Sequence, residues 1–274
     1  MNIEAGGLII NLNLLYLNEF KSAFKYQTNK EAMFFLNTIS ILPKLDNMIK
    51  LKHTKYYDIY RSDDYLVQLQ YLNEKLVGYI IYKDKIVDIY LCEQSFDIEY
   101  LLSQYAFVYW LKNYKKCLFI HSSAISYNNY GILFCAKSGT GKSTQRRLWE
   151  RNFNAICIND DKNILELKDD GIYIVSNPWS GKHFVCNNIS VKLKVIVFLS
   201  QALENKAINI DKLQAFSILL GQILLPSEET KDIWNACVDE ILNKELIKFG
   251  CTPDDSAAKY LYDYLVKRGA INEN

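Results

Sequence analysis

The sequence has no CxxC pair, no excess of either charge, no long apolar run, no internal repeat and no low-complexity tract. Its seven cysteines, at 92, 117, 135, 157, 186, 237 and 251, are scattered and odd in number. That pattern excludes a disulfide framework and a zinc site and predicts a reducing, cytoplasmic setting. Lys and Arg number 32 against 31 Asp and Glu, so no overall field draws the chain to nucleic acid or an anionic membrane, and neither is expected as a partner. No uninterrupted apolar stretch reaches the roughly 18 residues of a membrane span. The opening MNIEAGGLIINLNLLYLNEF carries Glu4 where a secretory leader would be basic, and Asn11, Asn13 and Asn18 break its apolar run, so no signal peptide is expected. Nothing in the composition bears on oligomeric state.

What is present is strand-forming. Half of the 274 residues are hydrophobic, and 20 Tyr with 13 Phe favour β-structure. Residues 56–92 alternate Tyr-, Ile- and Val-rich segments with short polar clusters, the signature of a meander. From Ile98 to Tyr114 apolar residues recur every three or four positions, which predicts a helix with one buried face. These features predict a strand-rich N-terminal lobe over 1–105 and a second domain over 106–274.

In the second region CLFIHSSAISYNNYGILFCA reads as two strands around a turn at Asn128–Gly131, and Lys142–Arg151 as a helix. AICIND reads as a strand, and NILEL with GIYIVSN as a hairpin. VKLKVIVFLS has the β-branched density of a buried strand. The remainder reads as helical: 211–223, 228–243, and a last helix opened by Thr252 as cap, Pro253 and the early acid Asp254.

Between the second strand and the helix lies AKSGTGKST, residues 136–144. A phosphate-binding loop works because consecutive backbone N–H groups and a helix N-terminus surround an anion, a lysine reaches the β and γ oxygens, and a hydroxyl binds Mg²⁺. Ser138, Gly139, Thr140, Gly141, Lys142, Ser143 and Thr144 supply those parts for ATP, with Lys142 as the ammonium and Ser143 as the metal hydroxyl. Ala136 replaces the usual first glycine, which a small residue at negative φ can do. Asp160 and Asp161 follow a short strand, 18 and 19 residues beyond Lys142. One carboxylate of such a pair would hold Mg²⁺ and the other would take a proton from an attacking hydroxyl; a strand-ending turn is the simpler alternative.

His121 lies fifteen residues before Ala136. Taken together, HSSAISYNNYGILFCAKSGTGKSTQRRLW, INDDKNIL and SNPWSG resemble the HPr kinase/phosphorylase and phosphoenolpyruvate carboxykinase superfamily, and in particular the HPr-kinase-related proteins of peptide-modification clusters, including lasso-peptide kinases. The likeness is strong over residues 117–200 and weaker in the C-terminal helices. It implies a mixed α/β fold with a P-loop core, Asp161 as catalytic base, Asp160 as metal ligand, and a role for His121 in steadying Asp161 or the transferring phosphoryl group. The further signature tied to the phosphorylase reaction has no counterpart in this chain, so the resemblance implies forward transfer.

Lys182, after the turn Asn177–Gly181, either carries charge to the γ-phosphate or belongs to a plain turn. Arg146, Arg147 and Arg151 read as a solvated helix face, with Arg146 or Arg147 as the candidates to meet nucleotide or substrate. The expected activity is an ATP- and Mg²⁺-dependent kinase acting on a Ser or Thr hydroxyl of a peptide or small protein. A small-molecule kinase and a non-catalytic nucleotide-binding partner protein are the alternatives.

Overall fold

A computed structural model describes residues 1–181, 184–224 and 230–272. It has two compact units, 1–114 and 115–274.

The first unit is one eight-stranded sheet with a helix on it. Its strands are β1 (Asn2–Ala5), β2 (Leu8–Asn13), β3 (Phe34–Thr38), β4 (Ile49–His53), β5 (Tyr57–Arg61), β6 (Leu66–Leu72), β7 (Lys75–Lys83) and β8 (Ile86–Leu91), in the spatial order β1-β2-β3-β8-β7-β6-β5-β4. The expected meander is β5 to β8, each strand antiparallel to the next. Helix α1 (Phe96–Tyr114) buries Leu102, Phe107 and Trp110, and the Trp110 indole donates to the Asp84 carbonyl at 2.9 Å. This helix covers the expected span from Ile98, but the domain boundary expected at 105/106 falls inside it. The whole helix belongs to the first unit, because its buried face is consumed by this sheet, and the division comes at 114/115.

The second unit is built on strands that change partner along their length. β9 (Cys117–Tyr127) pairs through its first half with β12 (Lys162–Lys168) and through its second with β10 (Tyr130–Cys135) and β11 (Ile156–Asn159). β13 (Gly171–Val175) closes the expected hairpin with β12. β14 (Ser190–Gln201) begins beside β13 and continues between β10 and β16 (Glu245–Cys251), parallel to both, and β15 (Lys206–Asn209) forms an edge. The β9–β10 turn places Asn128 and Asn129 at φ 46° and 64°, the left-handed pair that a two-residue hairpin requires.

Helices α2 (Lys142–Phe153) and α5 (Asp255–Lys267) cover one face of the β10–β14–β16 sheet, where Trp149, Phe134, Val197, Phe249 and Leu261 are buried together. Helices α3 (Lys212–Leu219) and α4 (Lys231–Ile241) cover the other, with Leu133, Ile196, Phe198, Ala215 and Ile241. Three expectations for the C-terminal part are corrected. It is not purely helical: β15 and β16 stand in it, and β16 is a central strand, because ELIKFGC alternates Ile247, Phe249 and Cys251 toward one layer with Leu246 toward the other. The first helix ends at Leu219 rather than 223. The cap of α5 is Asp254, whose carboxylate accepts from the Ser256 N–H at 2.9 Å, while Thr252 lies outside the helix. The expected start of α4 at 228 lies outside the described residues.

Gly78 on β7 fits so tightly under α1 that an added Cβ would lie 2.5 Å from Leu102 Cδ1 and 2.6 Å from the Tyr90 carbonyl. Gly78→Ala should therefore cost the first unit about 1–3 kcal/mol, as overpacking does. Thermal melts, with hydrogen exchange localised to β7 and α1, check this; an unchanged midpoint would show that Leu102 gives way freely.

Candidate functional site

Because β10, β14 and β16 run parallel, their C-terminal ends share one edge of the sheet, where ligands of such sheets bind. β10 ends at Cys135 and runs into the loop 136–141. Gly139 and Gly141 have φ of 78° and 119°, and an added Cβ at either would meet nothing within 4 Å, so these glycines serve backbone conformation rather than packing. Gly141 is the N-cap of α2 and gives it no side-chain cap, and no acid sits in the first turn. The N–H groups of Lys142, Ser143 and Thr144 therefore open the helix without intrahelical acceptors, at its positive end. Ser138 is exposed at the loop's crest and Ser143 half-buried. Ala136 is buried in the core, which favours a small apolar residue there.

Lys142 is 8% exposed and folded back on its own loop. Its Nζ donates to the Ala136 carbonyl at 2.9 Å and the Lys137 carbonyl at 3.5 Å, and lies 2.9 Å from His121 Nε2. Burial lowers its pKa from the ordinary 10.5, against the opposing fields of Asp161, Cys135 and Asp160. An ammonium has no lone pair, so His121 Nε2 is the acceptor. The ring hydrogen then sits on Nδ1, 3.1 Å from Asp161 Oδ1, and donates to it. Lysine, histidine and carboxylate form one chain of hydrogen bonds. Burial pushes the Asp161 pKa up, but the hydrogen bond from His121 and the charges of Lys162 and Lys142 outweigh it and hold the group below the ordinary 3.8.

The two acids stand in different surroundings. Asp160 is 8% exposed, and its Oδ1 accepts from Ser123 Oγ at 2.6 Å and Arg146 Nε at 3.0 Å. Its Oδ2 takes no hydrogen bond among the described residues. Arg146, expected on a solvated face, is 7% exposed and pairs with both Asp160 and Glu150, while Arg147 is exposed. The helix turns Arg146 inward because it lies on the same side of α2 as Lys142 and Trp149.

A set of asparagines to which the sequence pattern assigns no role holds the acids. Asn159 Oδ1 accepts from the N–H groups of Asp161 and Lys162, both at 3.0 Å, and its amide donates to the Asn177 carbonyl. Asn163 donates to the Ser122 carbonyl, and Asn177 donates to the Lys162 carbonyl and accepts from Trp179 N–H. The SNPWSG segment thereby reaches the acid pair: an added Cβ on Gly181, at φ 76°, would fall 2.7 Å from Asp161 Cβ and 2.9 Å from its Cγ. The signal for this scaffold is the short INDD and SNPWSG context, but which partners the asparagines take depends on pairings distant in sequence. Lys182 lies outside the described residues.

Two clefts flank the loop. One, of about 530 Å³, lies on the α2/α5 side and is lined by Gly139, Thr144, Gln145, Gln201, Leu203 and Pro253 among others. The other, of about 770 Å³, lies on the α3 side and includes Lys137, Thr140, Phe198, Ser217, Gln222 and Lys248.

The family model described as SynChlorMet cassette protein ScmC matches residues 91–246, more than half of the chain. The chain belongs to the ScmC family. The match takes in β9 to β14, the loop at 136–144 and both acids. Among solved structures, the chain is similar to the HPr(Ser) kinase/phosphatase from Coxiella burnetii, at 14% identity and a TM-score of 0.33, over 55% of this chain and 89% of that one. No curated protein matches it.

As for a metal, the described residues contain no group of three or more His, Cys, Asp and Glu side chains able to hold one. Ser143 and Asp160 Oδ2 suit a hard cation that takes its remaining ligands from water and phosphate, as Mg²⁺ does. No described helix is long and apolar enough to cross a membrane.

Gly181→Ala should push the Asp161 carboxylate off His121 while leaving the loop intact. The measurement is the His121 ¹⁵N spectrum, in which the Nδ1–H resonance would shift or broaden; an unchanged spectrum would mean that the 177–181 turn yields instead. Asp161, with its folded pKa lowered, contributes stability that is complete above about pH 4 and lost as pH falls through the lowered value. His121→Ala should remove much of that contribution, so the variant's deficit in urea midpoint at pH 6 should shrink below pH 3.

Proposed function

We propose that the second unit is an ATP-dependent kinase that moves the γ-phosphoryl group to a Ser or Thr hydroxyl of a peptide or small protein. The observation that carries this reading is the chain Lys142–His121–Asp161 at the mouth of the loop: the lysine that would meet the phosphates is 2.9 Å from the imidazole that orients the carboxylate. A purely structural turn at Asp160–Asp161 gives no reason for that alignment. The resemblance to kinases of peptide-modification clusters supports a peptide as acceptor and maturation of a peptide product as context.

In this reading the triphosphate lies on the N–H groups of the loop and the first turn of α2. Lys142 leaves the Ala136 carbonyl and His121 for the β and γ oxygens. The acceptor oxygen forms its bond to phosphorus as the bond to the β–γ bridging oxygen breaks, and the hydroxyl proton goes to Asp161. Transition states of this kind are loose and demand position more than basicity, so a carboxylate held ionised and fixed by His121 and Gly181 is adequate. Mg²⁺, held by Ser143 and Asp160, would neutralise charge on the phosphate oxygens. Arg146 and Ser123 hold Asp160 in place. Folded back, Lys142 needs no ligand to satisfy it.

Incubation with Mg²⁺, ATP and Ser/Thr peptides, followed by mass spectrometry, tests the activity. Lys142→Ala should abolish transfer and weaken ATP more than AMP. Asp161→Asn should keep nucleotide affinity and lower transfer by about 10²–10⁴. Asp160→Asn should raise the Mg²⁺ requirement and also destabilise the fold, by about 1–3 kcal/mol, because it leaves the buried Arg146 with Glu150 as its remaining charge partner. Wild-type transfer per folded molecule in the Asp161 variant would sink the assignment and favour a nucleotide-binding partner protein.

A further inference from the structure

The two clefts lie on opposite faces of the sheet whose edge carries the loop, and their linings differ in a way that sorts nucleoside from acceptor. Among the described residues, the smaller is lined by no charged side chain; Thr144 and Gln145 enter it from α2, and Thr252 and Pro253 from the segment that leads into α5. Among the described residues, the larger is lined by Lys137 and Lys248 and by no acid. Neither lysine has an ion-pair partner among the described residues.

Strand parity accounts for the place of Lys248. Along β16, Ile247, Phe249 and Cys251 face the α2/α5 layer, so Leu246 and Lys248 face α3. The register sets Cys135, Phe198 and Lys248 in one row across β10, β14 and β16, beneath the loop. Lys248 is the exposed end of that row, next to the buried Cys135 and Phe198, so its ammonium is open to the cleft.

The larger cleft is also the one beside the reactive end of the site. Gln222, in its lining, accepts the His121 backbone N–H through its own carbonyl at 2.8 Å, and the Leu224 N–H donates to the Phe119 carbonyl at 3.1 Å. The segment after α3 is thus laid along β9 directly at His121, the residue that binds Asp161. The buried side-chain oxygen of Gln222 also has no hydrogen-bond partner among the described residues. The nucleoside, leaving the phosphates away from Asp161, is left with the uncharged cleft.

Resting on the kinase reading above, we propose that the α3-side cleft receives the phosphate acceptor, and that Lys248 and Lys137 select acceptors whose hydroxyl has carboxylates close by. At about 770 Å³ the cleft has room for a side chain with its flanking residues. The carboxylates belong either to a free hydroxy acid or to an acidic peptide. Lys248 would contact the acceptor without touching the reacting atoms, which makes it a specificity-determining residue.

The test uses the full chain, Mg²⁺ and ATP with three acceptors: L-serine, a peptide with Ser between Glu residues, and the same peptide with Gln for Glu. ADP release and phosphorylated product are measured for wild type and Lys248→Glu. The expected result is a kcat/KM for the Glu peptide about fivefold or more above the Gln peptide, a preference that Lys248→Glu abolishes while ATP affinity holds within about twofold. Use of L-serine in preference to both peptides, with the same loss in Lys248→Glu, would support the charge selection and assign the cleft to a free hydroxy acid. Equal use of the Glu and Gln peptides, with L-serine unused, or a Glu preference that survives charge reversal, would overturn the proposal and leave the kinase reading standing. Binding of a fluorescent Glu peptide in the presence of a non-hydrolysable ATP analogue separates the two ideas. Binding that depends on Lys248 without any transfer would keep the acceptor cleft and defeat the kinase reading, whereas neither binding nor transfer overturns both.

Discussion

The geometry of the site depends on the ladder between β9 and β10. Cys135 pairs with Ser122, and Ser123 with Phe134, so His121 is carried to the point where β10 ends and the loop begins. On its other side β9 pairs with β11, which ends in Asn159 and delivers the acids. One strand thus sets the distance between loop and acids. A slip of one residue would turn His121 to the opposite face and detach Lys142 from Asp161. The same strand changes sheets at this point, since His121 itself pairs with Lys162 of β12. The backbone around it is held from both sides.

Much of this arrangement is legible in the sequence. The hairpin 117–135, the loop, α2 and the hairpin 162–175 follow local rules: alternation, two asparagines at a tight turn, glycines where φ is positive. The juxtaposition of His121 with Asp161 comes from the order of motifs, since residues 40 positions apart carry no local signal of contact. The features that the sequence hides have a common cause. β16 is hidden because ELIKFGC sits between helical segments and its strand character comes from burial against β14. Arg146 reads as exposed because a basic run on a helix looks solvated until a buried acid stands opposite it. The boundary near 105 fails because periodicity locates a helix but not the sheet that will consume its buried face.

The ion pair of Arg146 and Asp160 is a specificity device more than a source of stability. Both groups are almost wholly buried, so the attraction is offset by the water each has lost. Its effect is geometric. It ties α2, through one turn beyond the loop, to the end of β11, so the N-terminal end of the helix and the acid pair move together. Ser123 adds a third anchor from β9.

The contacts of Lys142 have a consequence for what the loop can hold. The ammonium already has the Ala136 carbonyl, the Lys137 carbonyl and His121 as partners. An anion entering the loop exchanges these bonds rather than adding to them, and gains only the difference. A single phosphate, reaching the backbone N–H groups alone, has little with which to draw the lysine away; a polyphosphate that spans loop and lysine has the cooperative return of both. On the kinase reading proposed above, the folded-back lysine would thereby act as a threshold on ligand length, favouring a triphosphate over the free phosphate that shares its chemistry.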